Sequence, residues 1–148
     1  MKKIYFAGPL FCQAEKDYNL VLAQFLEKEG YEVFLPQRDG YEAALLSDKT
    51  ETEKIKLIFE KDTAEIRKAD VVFMVLDGRV PDDGACVELG YAFALGKKCY
   101  GIKTDVRSLE INMDLNPLLV GCFDKVFNNS NFEIAQKELA AYIHTVGL

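Results

Sequence analysis

Histidine is almost missing from this chain of 148 residues: His144 stands alone, close to the last residue. Four cysteines, Cys12, Cys86, Cys99 and Cys122, never take the C-x-x-C spacing. Both scarcities argue against a zinc site, and no metal is expected. Reduced, buried thiols are the expected state, and with them a cytoplasmic setting. Basic residues form no cluster. Lysines are interspersed with acids in a chain of net charge −6, so no nucleic-acid partner is expected, because binding a phosphate backbone needs a concentrated basic face. No apolar run approaches the roughly 18 residues of a membrane span. The first residues enter a strand pattern at once, without the features of a signal peptide. Neither G-x-G-x-x-G nor G-x-x-x-x-G-K-[ST] occurs, and Pro9 removes a backbone donor from the first turn. No cofactor is expected.

What is present is ordinary for a folded protein: 49% apolar and 28% charged residues. One domain over residues 1–148 can bury a core. Lys2 to Ala7 reads as a strand broken by Gly8-Pro9. Ala14 to Glu29 carries a helical stripe at Leu20, Val21, Leu22, Phe25 and Leu26, and Gly30 stops it. Tyr31 to Leu35 is a second strand ended by Pro36, and Gln37 to Thr50 a polar loop with a short helix around Tyr41 to Leu46. Glu51 to Lys68 is charged, yet Ile55, Ile58, Phe59, Thr63 and Ile66 return at helical spacing. Asp70 to Leu76 reads as a buried parallel strand. A helix from Gly84 to Leu95 follows, then a strand at Cys99 to Ile102 and a loop from Thr104 to about Pro117. A strand over Cys122 to Phe127 and a helix from Asn131 to about Thr145 close the chain. Strands alternating with helices imply an α/β fold with a parallel sheet covered on both faces.

The stretch Asp82-Asp83-Gly84-Ala85-Cys86-Val87-Glu88-Leu89-Gly90-Tyr91-Ala92 carries most information. It places two acids in the loop after a central strand, where open α/β sheets bind ligands. Glu88 lies about one turn into the helix, between Val87 and Leu89, a setting that suits a partly buried carboxylate. A plainer reading gives these acids to the helix dipole. Tyr5 on the first strand would ordinarily be core, and Asp62 on the helix before Asp70 would ordinarily be a solvated charge. Paired carboxylates without a metal suit chemistry on a glycosidic bond, one attacking or stabilising the cationic carbon while the other moves protons.

Four separated features extend this reading: Ile4-Tyr5-Phe6-Ala7-Gly8-Pro9; Asp62 eight residues ahead of Asp70-Val71-Val72; Asp82-x-Gly84-x-x-x-Glu88-Leu89-Gly90-Tyr91-Ala92 with Gly96-Lys97; and Asn116-Pro117-Leu118-Leu119. In order and spacing the chain resembles the nucleoside 2-deoxyribosyltransferase family over nearly its whole length. The resemblance implies a flavodoxin-like three-layer sandwich with a five-stranded parallel sheet. It implies Glu88 as the nucleophile on the anomeric carbon of a 2′-deoxyribonucleoside, Tyr5 as the phenol that holds Glu88, and Asp62 as the proton-handling acid at the base. Asp82 resembles the acceptor of the sugar 5′-hydroxyl. Gly84 and Gly8 belong to the substrate-binding motifs. Asn116 resembles an amide that reaches a neighbouring subunit's pocket, with Asn112 a competing choice, so a homo-oligomer with composite sites is implied. Substrates would be deoxyribonucleosides and free nucleobases. Phe11, Pro36 and Tyr41 are candidates for the base by position only, and packing residues equally well.

Two other functions fit. A 2′-deoxynucleoside 5′-monophosphate N-glycosidase would use the same nucleophile with water as acceptor. Such hydrolases resemble this chain but place a serine at the position of Asp82, where a carboxylate would repel a 5′-phosphate by about 4 kcal/mol per charge pair. A non-catalytic nucleotide-binding module on the same scaffold would bind ligand without losing or exchanging base.

Overall fold

Strand β1 (Lys3–Ala7) turns Ile4 and Phe6 to one face of the sheet and Tyr5 and Ala7 to the other, and all four are buried. That alternation sets the architecture of the computed structural model, which describes residues 1–41, 46–107 and 114–148. The other strands are β2 (Glu32–Phe34), β3 (Val71–Val75), β4 (Lys98–Lys103) and β5 (Lys125–Asn128). All pairings are parallel, in the order β2-β1-β3-β4-β5. This is the flavodoxin-like order, whose strand direction reverses its build between β1 and β3. Tyr5 pairs with Val72 of β3 and with Phe34 of β2, which puts it next to that switch point.

Helices α1 (Gln13–Lys28) and α6 (Phe132–Thr145) cover one face, packing Leu22, Leu26, Ala135 and Leu139 against Ile4, Phe6 and Phe73. On the opposite face lie α3 (Glu51–Lys68) and α4 (Asp83–Ala94), with Ile66, Ala85, Leu89 and Ala92 against Tyr5, Val72 and Met74. Burying one such large apolar side chain contributes about 1.5–3 kcal/mol. Two short helices, α2 (Pro36–Asp39) and α5 (Pro117–Cys122), follow β2 and precede β5.

Helix ends obey local chemistry. Thr50 and Glu53 form a reciprocal capping box at α3, with Glu53 N donating to Thr50 Oγ1 and Thr50 N to the Glu53 carboxylate. Asp82 caps α4 by accepting from Ala85 N at 2.8 Å. Gly96, at φ +70°, releases the chain from α4 into β4. No helix among the described residues is long and apolar enough to cross a membrane.

Three expectations need correction. The loop to Pro117 gives way to helix α5, and Cys122 ends that helix, so β5 begins at Lys125. Asn116 caps α5 and Pro117 presets its first turn, a start signal masked by the strand-like run Leu118–Val120. Likewise Pro36 opens α2 as well as ending β2, and the Asp39 carboxylate accepts from Leu35 N. Of the four free thiols only Cys99 is buried; Cys86 and Cys122 are half-buried and Cys12 is exposed at the start of α1. Burial pushes the Cys99 thiol up to about 12. Most of the short helix expected at Tyr41 to Leu46, and the whole of Asn112, lie outside the described residues.

Candidate active site

Tyr5 is buried in mid-strand, its ring stacked on Phe34 with centroids 5.6 Å apart. From there the phenol points between α3 and α4 and donates to Glu88 Oε1 at 2.6 Å. Core residue and site residue are therefore the same side chain. Burial of the Tyr5 phenol, with the negative charges of Glu88 and Asp62 beside it, holds its pKa well above the ordinary tyrosine range. It remains a hydrogen-bond donor at any working pH.

Glu88 projects from the second turn of α4, with its carboxyl mostly withdrawn from water. Burial pushes its pKa up to about 8; the Asp62 and Asp82 charges add to this, and the Tyr5 hydrogen bond opposes it. Asp62, facing from α3, is also half-buried and raised, to about 6, chiefly by burial. Glu65 raises it further, while Lys61 and Tyr5 pull it down. Two carboxyls with elevated pKa values and a fixed phenol thus meet between α3 and α4. Such a group can attack an electrophile, and can trade protons near neutral pH.

Glu88 and Asp62 line one groove of about 620 Å³, whose apolar walls include Ile55, Phe59, Ile66, Val87 and Tyr91. That size falls within the ~300–1,000 Å³ usual for small-molecule sites. Ile55, Phe59 and Val87 stand 62%, 63% and 67% exposed at its rim. The periodicity that marked α3 as amphipathic therefore marks two stripes, one in the core and one open. Asp62 also borders a second cavity, of about 290 Å³, built from Pro36, Gln37, Tyr41, Leu46 and Lys61. The Gln37 amide is committed there: it accepts from Asn19 Nδ2 at 3.2 Å and donates to the Lys16 carbonyl at 2.8 Å.

The remaining expected residues fall at differing places. Asp82 uses Oδ2 to cap α4, as the plainer reading of that acid has it, and among the described residues Oδ1 is the oxygen left over. Gly84 lines the groove with Glu88, and a Cβ there would meet Asp82 Oδ2 at 3.2 Å. Gly8, at the end of β1, lies so close to β3 that a Cβ would meet Val75 Cβ at 3.1 Å. Pro36 and Tyr41 line the second cavity; Phe11, 77% exposed, lines neither. Asn116 is apart from the Glu88 groove, in a separate cavity of about 200 Å³ with Arg79, Lys103 and Leu119, and spends Oδ1 on Leu118 N at 2.9 Å. His144, in the last turn of α6, pairs with Glu29 at the end of α1 at 2.7 Å.

Sequence reasoning missed the open rim of the groove, because an exposed apolar stripe has the same spacing as a buried one. It also missed Lys61, whose only signal was its position next to Asp62.

Comparison with known proteins bears on the fold and the family. A protein from Enterococcus faecalis V583, described only as conserved, superposes with a TM-score of 0.77 at 28% identity, covering 95% of this chain and 98% of that one. The 2-deoxyribosyltransferase of Leishmania mexicana aligns at 23% identity over 99% of both chains, with a TM-score of 0.68. A CMP N-glycosidase of Clostridium botulinum aligns at 21% identity over 95% of this chain and 99% of its own, with a TM-score of 0.64. These last two likenesses speak to the fold. No curated protein matches the chain by sequence. The nucleoside 2-deoxyribosyltransferase family model, however, matches residues 4–139, from β1 with Tyr5 through the Asp62 and Glu88 helices into α6. With that span matched, over nine-tenths of its length, the chain belongs to the nucleoside 2-deoxyribosyltransferase family.

Proposed function

We propose that this protein exchanges the base of 2′-deoxyribonucleosides through a covalent deoxyribosyl intermediate on Glu88. The observation that carries the reading is the 2.6 Å hydrogen bond from Tyr5 to Glu88 Oε1. It fixes the carboxylate rotamer and leaves Oε2 for attack. Glu88 Oε2 bonds to C1′ while the N-glycosidic bond breaks and its electron pair goes to the base. Asp62, whose pKa of about 6 lets it hold a proton near neutrality, protonates the departing base and then deprotonates the incoming one. A ring nitrogen of the second base attacks C1′ and releases Glu88. Two inversions retain the β configuration. Deoxyribose suits the route because it lacks the 2′-hydroxyl that would withdraw electrons from the developing cation.

In this mechanism the free Oδ1 of Asp82 accepts the 5′-hydroxyl beside Gly84, and Gly8 keeps the end of β1 clear for the ligand. Asn116 serves the groove of a neighbouring subunit. Its distance from the Glu88 groove of its own chain supports this, as do the open apolar rim of Ile55, Phe59 and Val87 and the 82% exposure of Leu118 next to it. An acid in place of a serine at Asp82 favours a free 5′-hydroxyl over a phosphate, and so a nucleoside.

Hydrolysis is the competing outcome, with water replacing the second base; the likeness to a CMP N-glycosidase supports it at the level of fold. Incubation with 2′-deoxyguanosine and hypoxanthine, followed by chromatography, separates the readings. New deoxyinosine establishes transfer. Guanine release without deoxyinosine establishes hydrolysis, and release of no base leaves a binding module.

A further inference from the structure

Lys61 has an environment that neither catalysis nor folding accounts for. It sits on α3 one residue before Asp62, half-buried in the wall of the 290 Å³ cavity. Its Nζ lies 5.6 Å from the centroid of the Phe34 ring and 5.9 Å from that of Tyr41. Cation–π attraction of this kind holds an ammonium in place without using up its N–H donors. Among the described residues Lys61 donates no hydrogen bond and forms no ion pair. The nearby carboxylate of Asp39 is already taken by Arg38 and by Leu35 N. The Gln37 amide in the same wall is engaged at both ends. The cavity wall therefore presents two polar heads, the Lys61 ammonium with its N–H donors unspent and the Asp62 carboxyl.

The chemistry of that pair is directional. An ammonium can only donate, and a carboxyl that carries a proton to the leaving base donates as well. Two adjacent donors match two adjacent acceptors. On the N7 edge of a purine, guanine and hypoxanthine show N7 and O6, both acceptors, whereas adenine shows N7 and a donating 6-amino group. With Asp62 on N7, giving the proton to a leaving base and taking it from an incoming one, an ammonium in the same wall meets an acceptor in the 6-oxo bases and a donor in adenine. We propose that Lys61 reads a 6-oxo group on the base, so that the site takes hypoxanthine and guanine in preference to adenine. This rests on the reading of Asp62 as the acid that meets the base.

The test is a ratio. Equilibrium dialysis measures free hypoxanthine and adenine binding to the wild-type protein and to Lys61→Met, with Lys61→Leu as a second variant of different shape. Acceptor kcat/KM for both bases is measured in parallel. The wild type is expected to favour hypoxanthine about tenfold or more, in line with the discrimination that a matched pair of contacts provides. Either variant is expected to lose most of that ratio through weaker hypoxanthine binding, with adenine little changed. Equal or tighter binding of adenine by the wild type overturns the proposal. So does a preference that survives both substitutions, or failure of the wild type to bind hypoxanthine at millimolar concentration. A Lys61-dependent preference without base exchange would sustain this inference and sink the transferase reading. Exchange with no preference between the two bases would do the reverse.

Discussion

At the scale of single residues, the order of the two carboxyl pKa values governs the chemistry. A nucleophile must be ionised and an acid protonated, yet Glu88 is pushed to about 8 and Asp62 to about 6. Between those values the productive form, Glu88 charged and Asp62 neutral, is the minor one. The kcat/KM profile is then a bell with macroscopic limbs near 6 and 8, shared by the pair. Tyr5→Phe provides a sign check. The phenol stabilises charged Glu88 and, to a lesser degree, charged Asp62, so its loss raises both pKa values, that of Glu88 the more. Because Glu88 holds the upper value, the alkaline limb moves up by about one to two pH units, while the plateau falls about ten- to hundredfold. If the acid limb moved further than the alkaline one, the assignment of nucleophile and acid would be reversed. Initial rates across pH 5 to 10 decide it.

Among elements, α4 is the most economical: one helix start carries the cap and, in the proposed mechanism, the sugar contact and the nucleophile. Asp82→Ser separates two of these roles. Serine caps a helix about as well as aspartate, so thermal unfolding should change by less than about 1 kcal/mol. Nucleoside turnover should weaken and tolerance of a 5′-monophosphate improve, since a repelling charge is replaced by a hydroxyl donor. An unchanged preference for nucleoside over nucleotide would remove Asp82 from the 5′ position. This helix was legible in the sequence because its signals are local: acids at its start, Gly96 at its end, and the apolar strand Val71–Val75 before it. Helix α5 was not legible, since six residues show no periodicity and Leu118–Val120 imitates a strand. Tyr5 and Asp62 were within reach of motif reasoning, but the 2.6 Å contact and the raised carboxyls needed the fold. Burial is set by residues dozens of positions away. Lys61 and the open rim at Ile55 and Phe59 depend on what lies opposite them, which spacing does not encode.

For the whole molecule, the division of the proposed site between subunits has a measurable consequence. Glu88→Ala removes the nucleophile from one groove, and Asn116→Ala removes the amide offered to a neighbour's. Each variant alone should be defective. Mixed and allowed to exchange subunits, they form some interfaces that combine an intact Glu88 with an intact Asn116, so activity should reappear in the mixture. Sedimentation of the wild type should show an assembly larger than 16.7 kDa. No recovery on mixing, or a fully active monomer, would return Asn116 to a purely local role as the cap of α5.

The strand order β2-β1-β3-β4-β5 carries one more implication. The Glu88 helix leaves β3, in the middle of the sheet, and Tyr5 rises from β1 beside it. Pro36, Gln37 and Tyr41, which wall the neighbouring cavity, follow β2 at the sheet margin. On the proposed roles, chemistry is thus anchored where every strand has neighbours on both sides, and selectivity where the sheet has a free flank. Lengthening or recolouring the peripheral segment disturbs few pairings of the central strands. With the roles proposed above, such a layout lets substitutions in the peripheral segment alter which bases are accepted while leaving the bond-breaking groups in place.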